Sequence, residues 1–150
     1  MGLDMYLEVE QYISEHIQED KVLAQSIKEC TPYGLGEFTP KKIVFELAYW
    51  RKANAIHGWF VRNVQNGKDE CQRTYVPTSA LEELKNVCEK VLNDLTLADK
   101  LLPITKGFFF GGYSYDEYYK KELQYTVDVL VKLLNNPDIE KMYVMYHSSW

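Results

Sequence analysis

The two ends of the chain constrain its fold most. "GLDMYLEVE" at residues 2–10 alternates, with Leu3, Met5, Leu7 and Val9 on one side and Asp4, Tyr6, Glu8 and Glu10 on the other. That is the period of a half-buried strand. "KMYVMYHSSW" at residues 141–150 closes the chain as a second alternating strand. Chain ends in one domain commonly lie close together, so the two strands are expected to pair in an antiparallel sheet.

Between them the pattern is mostly helical. "SEHIQEDKVLAQSIKEC" places Ile17, Leu23, Ala24 and Ile27 at near-helical spacing, and "TPYGLGEFTP", with two prolines and two glycines, reads as a loop. Lys42 to about Val64 contains no proline and one interior glycine, Gly58, which predicts a long helix. "NGKDECQRTYVP" predicts a turn and then a short strand at 73–76. Ser79 and Glu82 form a capping-box pattern ahead of a stripe of Leu81, Leu84, Val87, Cys88, Val91, Leu92 and Leu95. "GFFFGG" reads as a short buried strand. Ser114 and Glu117 then repeat the capping pattern and open a helix lasting to Asn135-Asn136-Pro137. The expected architecture is α+β, about four helices packed on a small antiparallel sheet that includes both terminal strands, in one domain spanning 1–150.

Composition narrows the function classes. With 17 basic and 22 acidic side chains and only isolated basic pairs such as Arg51-Lys52, the chain lacks the basic face of a nonspecific nucleic-acid binder. Cys30, Cys71 and Cys88 are odd in number and without metal-type spacing, as expected of reduced thiols. The N-terminal stretch carries Asp4 and no signal-peptide pattern, and no uncharged apolar run nears the roughly 18 residues of a membrane span. These features point to a cytoplasmic protein with no membrane partner. Aromatic residues are abundant at 14%, including 12 tyrosines, which suit cores, interfaces and ligand walls equally.

"YWRKANAIHGWFV" at residues 49–61 is the densest segment. On a helix, Glu46, Trp50, Asn54, His57 and Val61 share one narrow face, with Arg51 and Lys52 turned away from it. Glu46 and His57 lie too far apart along such a helix to share a metal or a proton. Two readings of the stripe stand: hydrogen-bonded polar groups that fix the helix against its neighbours, or a pocket wall presenting Asn54 and His57.

No other constellation is stronger. Gly111-Gly112 before a helix suggests an anion cradle, but Ser114 and Glu117 would already satisfy its amides and Asp116 makes the first turn negative. "GLG" at 34–36 lacks the third glycine of a dinucleotide fingerprint. The histidines His16, His57 and His147 lie in different elements, so no metal site and no cofactor is expected. The aromatics Phe108–Phe110, Tyr113, Tyr115, Tyr118 and Tyr119 read as core with a tyrosine rim, as a stacking wall for a planar ligand, or as a subunit interface.

Taken together, "GLDMYL", "YWRKxNxIHxWFV", "LLP…GFFFG…YDEYY" and the terminal "SSW" resemble a family of small phage and prophage proteins. The resemblance spans the chain except for residues 11–38 and implies a phage origin and a host-cell cytosol, with no catalytic residues to carry over. The function expected is a non-catalytic binding protein for a small nucleotide-like molecule or a host protein, with the option of sequestering it. Its ligand-binding residues would be Trp50, Arg51, Asn54, His57, Phe109, Tyr113 and Tyr118. Two alternatives are a small enzyme using His57 as general acid or base, and an interaction module or homo-oligomer joined through a tyrosine-rich surface.

Overall fold

The computed structural model describes residues 2–150. The strands are β1 (Asp4–Tyr12), β2 (Lys42–Arg51), β3 (Thr74–Tyr75) and β4 (Val144–Ser149). The helices are α1 (Gln18–Cys30), α2 (Asn54–Asn63), α3 (Thr78–Asn93), the single turn α4 (Ala98–Leu101) and α5 (Glu117–Leu134). The fold is α+β. All pairings in the sheet are antiparallel, in the order β2-β1-β4-β3, so the two terminal strands lie side by side at its centre.

Leu3, Met5, Leu7 and Tyr146 from this end of the sheet are fully buried. They join one apolar core with Ile56 and Phe60 of α2, the α3 stripe of Leu81, Leu84, Cys88 and Val91, and Leu123 and Leu130 of α5. Phe60 lies flat against Tyr146, with ring centroids 3.9 Å apart. The α3 stripe follows the expected spacing. Val87, Leu92 and Leu95 flank the core half-buried. Helix α1 buries none of its residues fully.

The segment 42–64 is not one helix. Its first half, Lys42–Arg51, is strand β2, and only Asn54–Asn63 is helical. Ile43, Val44, Phe45, Tyr49 and Trp50 are β-branched or aromatic and favour a pleated, half-buried surface, and β1 supplies the pairing edge. Lys52, at φ 63°, turns the chain through the left-handed region, and Asn54 N–H closes the turn on the Lys52 carbonyl at 2.9 Å. Glu46 and Trp50 therefore share no helical face with Asn54 and His57.

A bulge at Leu47 adds a further change. Leu7 pairs with Ala48 but Glu8 pairs with Glu46, so Leu47 is the extra residue. The slip flips the pleat, placing Glu46 on the face of Tyr49 rather than that of Trp50.

Both expected capping boxes are replaced. At α3 the N-cap is Pro77, with no side-chain cap. At α5 it is Asp116, whose carboxylate accepts from Tyr118 N–H at 3.0 Å and Tyr119 N–H at 3.2 Å. Ser114 donates to that carboxylate instead of capping an amide. An Asx cap is at least as good as serine here, and its charge favours the helix dipole. "GFFFGG" is not a buried strand but an irregular loop: Phe108 is 83% and Phe109 49% exposed, and only Phe110 is buried.

Candidate functional site

The irregular loop between α4 and α5 is held by one side of α2. Asn54, the first residue of α2, donates from Nδ2 to the carbonyls of Phe110 (3.2 Å) and Gly112 (2.9 Å) and accepts at Oδ1 from Thr105 N–H (3.2 Å). One buried amide thus satisfies three backbone groups of a segment that has no strand to pair with. Four residues along the same helix, Gly58 lets Thr105 pack against the backbone; a Cβ there would meet Thr105 Oγ1 at 2.0 Å. The loop closes on itself through the Tyr113 hydroxyl, which donates to Gly107 O at 2.9 Å.

Held this way, the loop forms one wall of a cleft of about 740 Å³. Arg51, the last residue of β2, and Lys52 just after it also line the cleft. Phe109 and Tyr118 add exposed rings to the lining, and Asp116 and Glu122 supply carboxylates. Three of the residues lining the cleft have positive φ. Lys52 (φ 63°) and Phe109 (φ 67°) are both left-handed, as is Gly111 (φ 106°), where a Cβ would sit 2.7 Å from the Lys52 carbonyl oxygen. Non-glycine residues held in that region cost about 1–3 kcal/mol each and cluster at functional sites.

The two cations of the cleft are loosely committed, whereas Asp116 is held as the α5 cap. Arg51 Nε is 3.9 Å from Asp4 Oδ1, a long pair between an exposed guanidinium and a half-buried carboxylate, and Lys52 makes no ion pair among the described residues. Burial pushes the Glu122 carboxyl up to about 7, with the neighbouring charge of Asp116 adding to the effect. A half-protonated carboxyl at neutral pH can either accept or donate a hydrogen bond. The Tyr119 hydroxyl is likewise driven far above its ordinary range, mainly by burial, and donates to Leu102 O at 2.9 Å.

A second, shallower cleft of about 510 Å³ adjoins the first. It shares Arg51, Tyr118 and Glu122 with it and adds Glu46, Tyr49, Lys121 and Tyr125.

Of the residues expected from sequence, Arg51, Asn54, Phe109 and Tyr118 come together on the first cleft, and Trp50 lines the second. Trp50 is anchored, its Nε1–H donating to Thr126 Oγ1 at 2.9 Å. Tyr113 and His57 line neither. His57 is fully buried, with Nδ1 2.8 Å from the Tyr146 hydroxyl and Nε2 2.9 Å from Asp69 Oδ2. Trp150 Nε1–H reaches the other oxygen of Asp69 at 3.1 Å. The polar stripe thus resolves into two separate sets of satisfied groups: Asn54 with the loop, and His57 with Tyr146 and Asp69.

Glu122, Lys121 and Tyr125 are cleft residues that the sequence reading leaves out. Their signal is the spacing Tyr118, Lys121, Glu122, Tyr125, which is one helical face. Among the described residues, no group of three His, Cys, Asp or Glu is placed to hold a metal ion, and no helix is long and apolar enough to cross a membrane. Comparison with family models, with curated proteins and with solved structures returned no match.

Proposed function

We propose that this is a phage-encoded binding protein that holds, and by holding sequesters, a small nucleotide-like ligand in the cleft between β2 and the loop 103–116. The phage origin rests on the sequence resemblance alone. The observation that carries the ligand class is the meeting of Arg51 and Lys52 with Phe109 and Tyr118 on one cleft of nucleotide size. The planar Arg51 fork suits a phosphate bidentately. Exposed aromatic rings stack on a base whatever its identity. Glu122 supplies a hydrogen-bonding group for an amino or ring N–H edge. Tyr118 is 77% exposed, and its hydroxyl makes no hydrogen bond among the described residues, so it is free to meet a ligand.

A catalytic role for His57 gains no support, because both ring nitrogens are engaged inside the core. The test is a thermal-shift screen of the whole chain against the common ribonucleoside mono-, di- and triphosphates at millimolar concentration. A ligand binding only the folded state raises the midpoint, and Arg51→Ala should diminish the rise. A flat screen overturns the reading.

A further inference from the structure

The two clefts are similarly furnished. Each has a lysine of its own, Lys52 in the first and Lys121 in the second. Each has a carboxylate of its own, Asp116 and Glu46 respectively, and its own exposed aromatic, Phe109 and Tyr125. Arg51, Glu122 and Tyr118 belong to both. Either volume falls within the roughly 300–1,000 Å³ of a complete small-molecule site, so one mononucleotide leaves the other cleft open.

The backbone positions two groups of the second cleft. The bulge at Leu47 puts Glu46 on the face of Tyr49, at the end of β2 that carries Arg51. The Tyr125 hydroxyl accepts from Tyr49 N–H at 3.3 Å, fixing the α5 ring against that edge of the strand. Without the bulge, Glu46 would share the face of Trp50 rather than that of Tyr49.

Building on the nucleotide-binding reading, we infer that the ligand has two ring-bearing halves joined by an anionic link, one half in each cleft and the link at Arg51: a dinucleotide rather than a mononucleotide. Two weak half-sites on a rigid frame combine through effective concentration, so a tethered pair binds much more tightly than either half. Tyr118, which lines both clefts, offers a ring to both halves.

Calorimetric titration of the whole chain tests this. The probes are the 5′-mononucleotide of the base giving the largest thermal shift and its linear 5′-phosphorylated 3′→5′ dinucleotide. The dinucleotide is expected to bind one-to-one and on the order of 100-fold more tightly. Lys121→Glu, a change at an exposed helix position, is expected to erase most of that advantage. Equal affinity of the two probes, or an advantage untouched by Lys121→Glu, overturns the two-cleft inference while leaving the nucleotide reading intact. Failure of both probes to bind overturns the nucleotide reading and this inference with it.

Discussion

The hydroxyl of Tyr146 meets Nδ1 of His57 at 2.8 Å, and neither side chain reaches solvent. With the imidazole proton on Nε2, both ring nitrogens are satisfied: Tyr146 O–H donates to Nδ1, and Nε2–H donates to Asp69. Burial and the Asp69 charge raise the Tyr146 hydroxyl well above the ordinary tyrosine range, so it stays a donor.

Tyr146→Phe keeps the ring stacked on Phe60 but strands Nδ1 of His57 without a donor. An unpaired buried acceptor costs about 1–3 kcal/mol. Urea unfolding should show a lower midpoint with an unchanged slope. A loss below about 0.5 kcal/mol, the size of an ordinary surface change, would mean that the tie contributes nothing.

Asn54→Ala removes three hydrogen bonds at once from Thr105, Phe110 and Gly112. At about 1 kcal/mol net for each bond, the cost is roughly 2–4 kcal/mol, and the loop 103–116 should lose order before the core does. Hydrogen exchange would show faster exchange at Thr105 and its neighbours than in α3. Uniform acceleration across the protein would contradict the loop-specific role.

Glu122 gives a pH dependence of definite sign. Its folded value of about 7 exceeds the ordinary 4.5, so the folded state holds the proton more tightly than the unfolded chain. Its contribution to stability is complete below about pH 4.5 and is lost as pH rises through 7. Glu122→Gln cannot ionise, so relative to the parent protein it should gain stability between pH 5 and 8. Melting curves over that range check this, and parallel curves for the two proteins would exclude it.

The three cysteines should divide by accessibility. Cys30 and Cys71 are exposed, whereas Cys88 is buried in the α3 stripe, where desolvation pushes its thiol up to about 12. Because the thiolate is the reactive form, a disulfide reagent at pH 8 should titrate two thiols in the native protein. The third should appear only in denaturant. Three fast equivalents would show that α3 is not packed as described.

The terminal strands are legible in the sequence because period-two alternation there is unbroken and one face is buried. The α3 stripe is legible for the same reason at the helical period. Residues 42–64 mislead because β2 runs into α2 with no proline or glycine between them. The break is a lysine, Lys52, in a left-handed conformation that its residue type does not announce. At the site, Arg51, Asn54, Phe109 and Tyr118 could be picked out as polar or aromatic residues in unusual company. The partners of His57 could not, since Asp69 and Tyr146 stand 12 and 89 residues away and meet it only in three dimensions.

The side-by-side terminal strands also join the most distant parts of the sequence. Glu8 and His147 touch across β1 and β4 although 139 residues separate them. Bringing such distant segments together slows folding more than it weakens the product. Helices α3 and α5, which pack on each other nearer in sequence, have no such delay. We hypothesise that the helical layer forms first and the sheet closes on it last. Stopped-flow refolding should then show Leu84→Ala slowing folding and Met5→Ala chiefly speeding unfolding; the reverse pattern would reject this order. Until that late step, the apolar face of β1 stays uncovered, and the refolding chain is most prone to aggregate while its two ends have yet to meet.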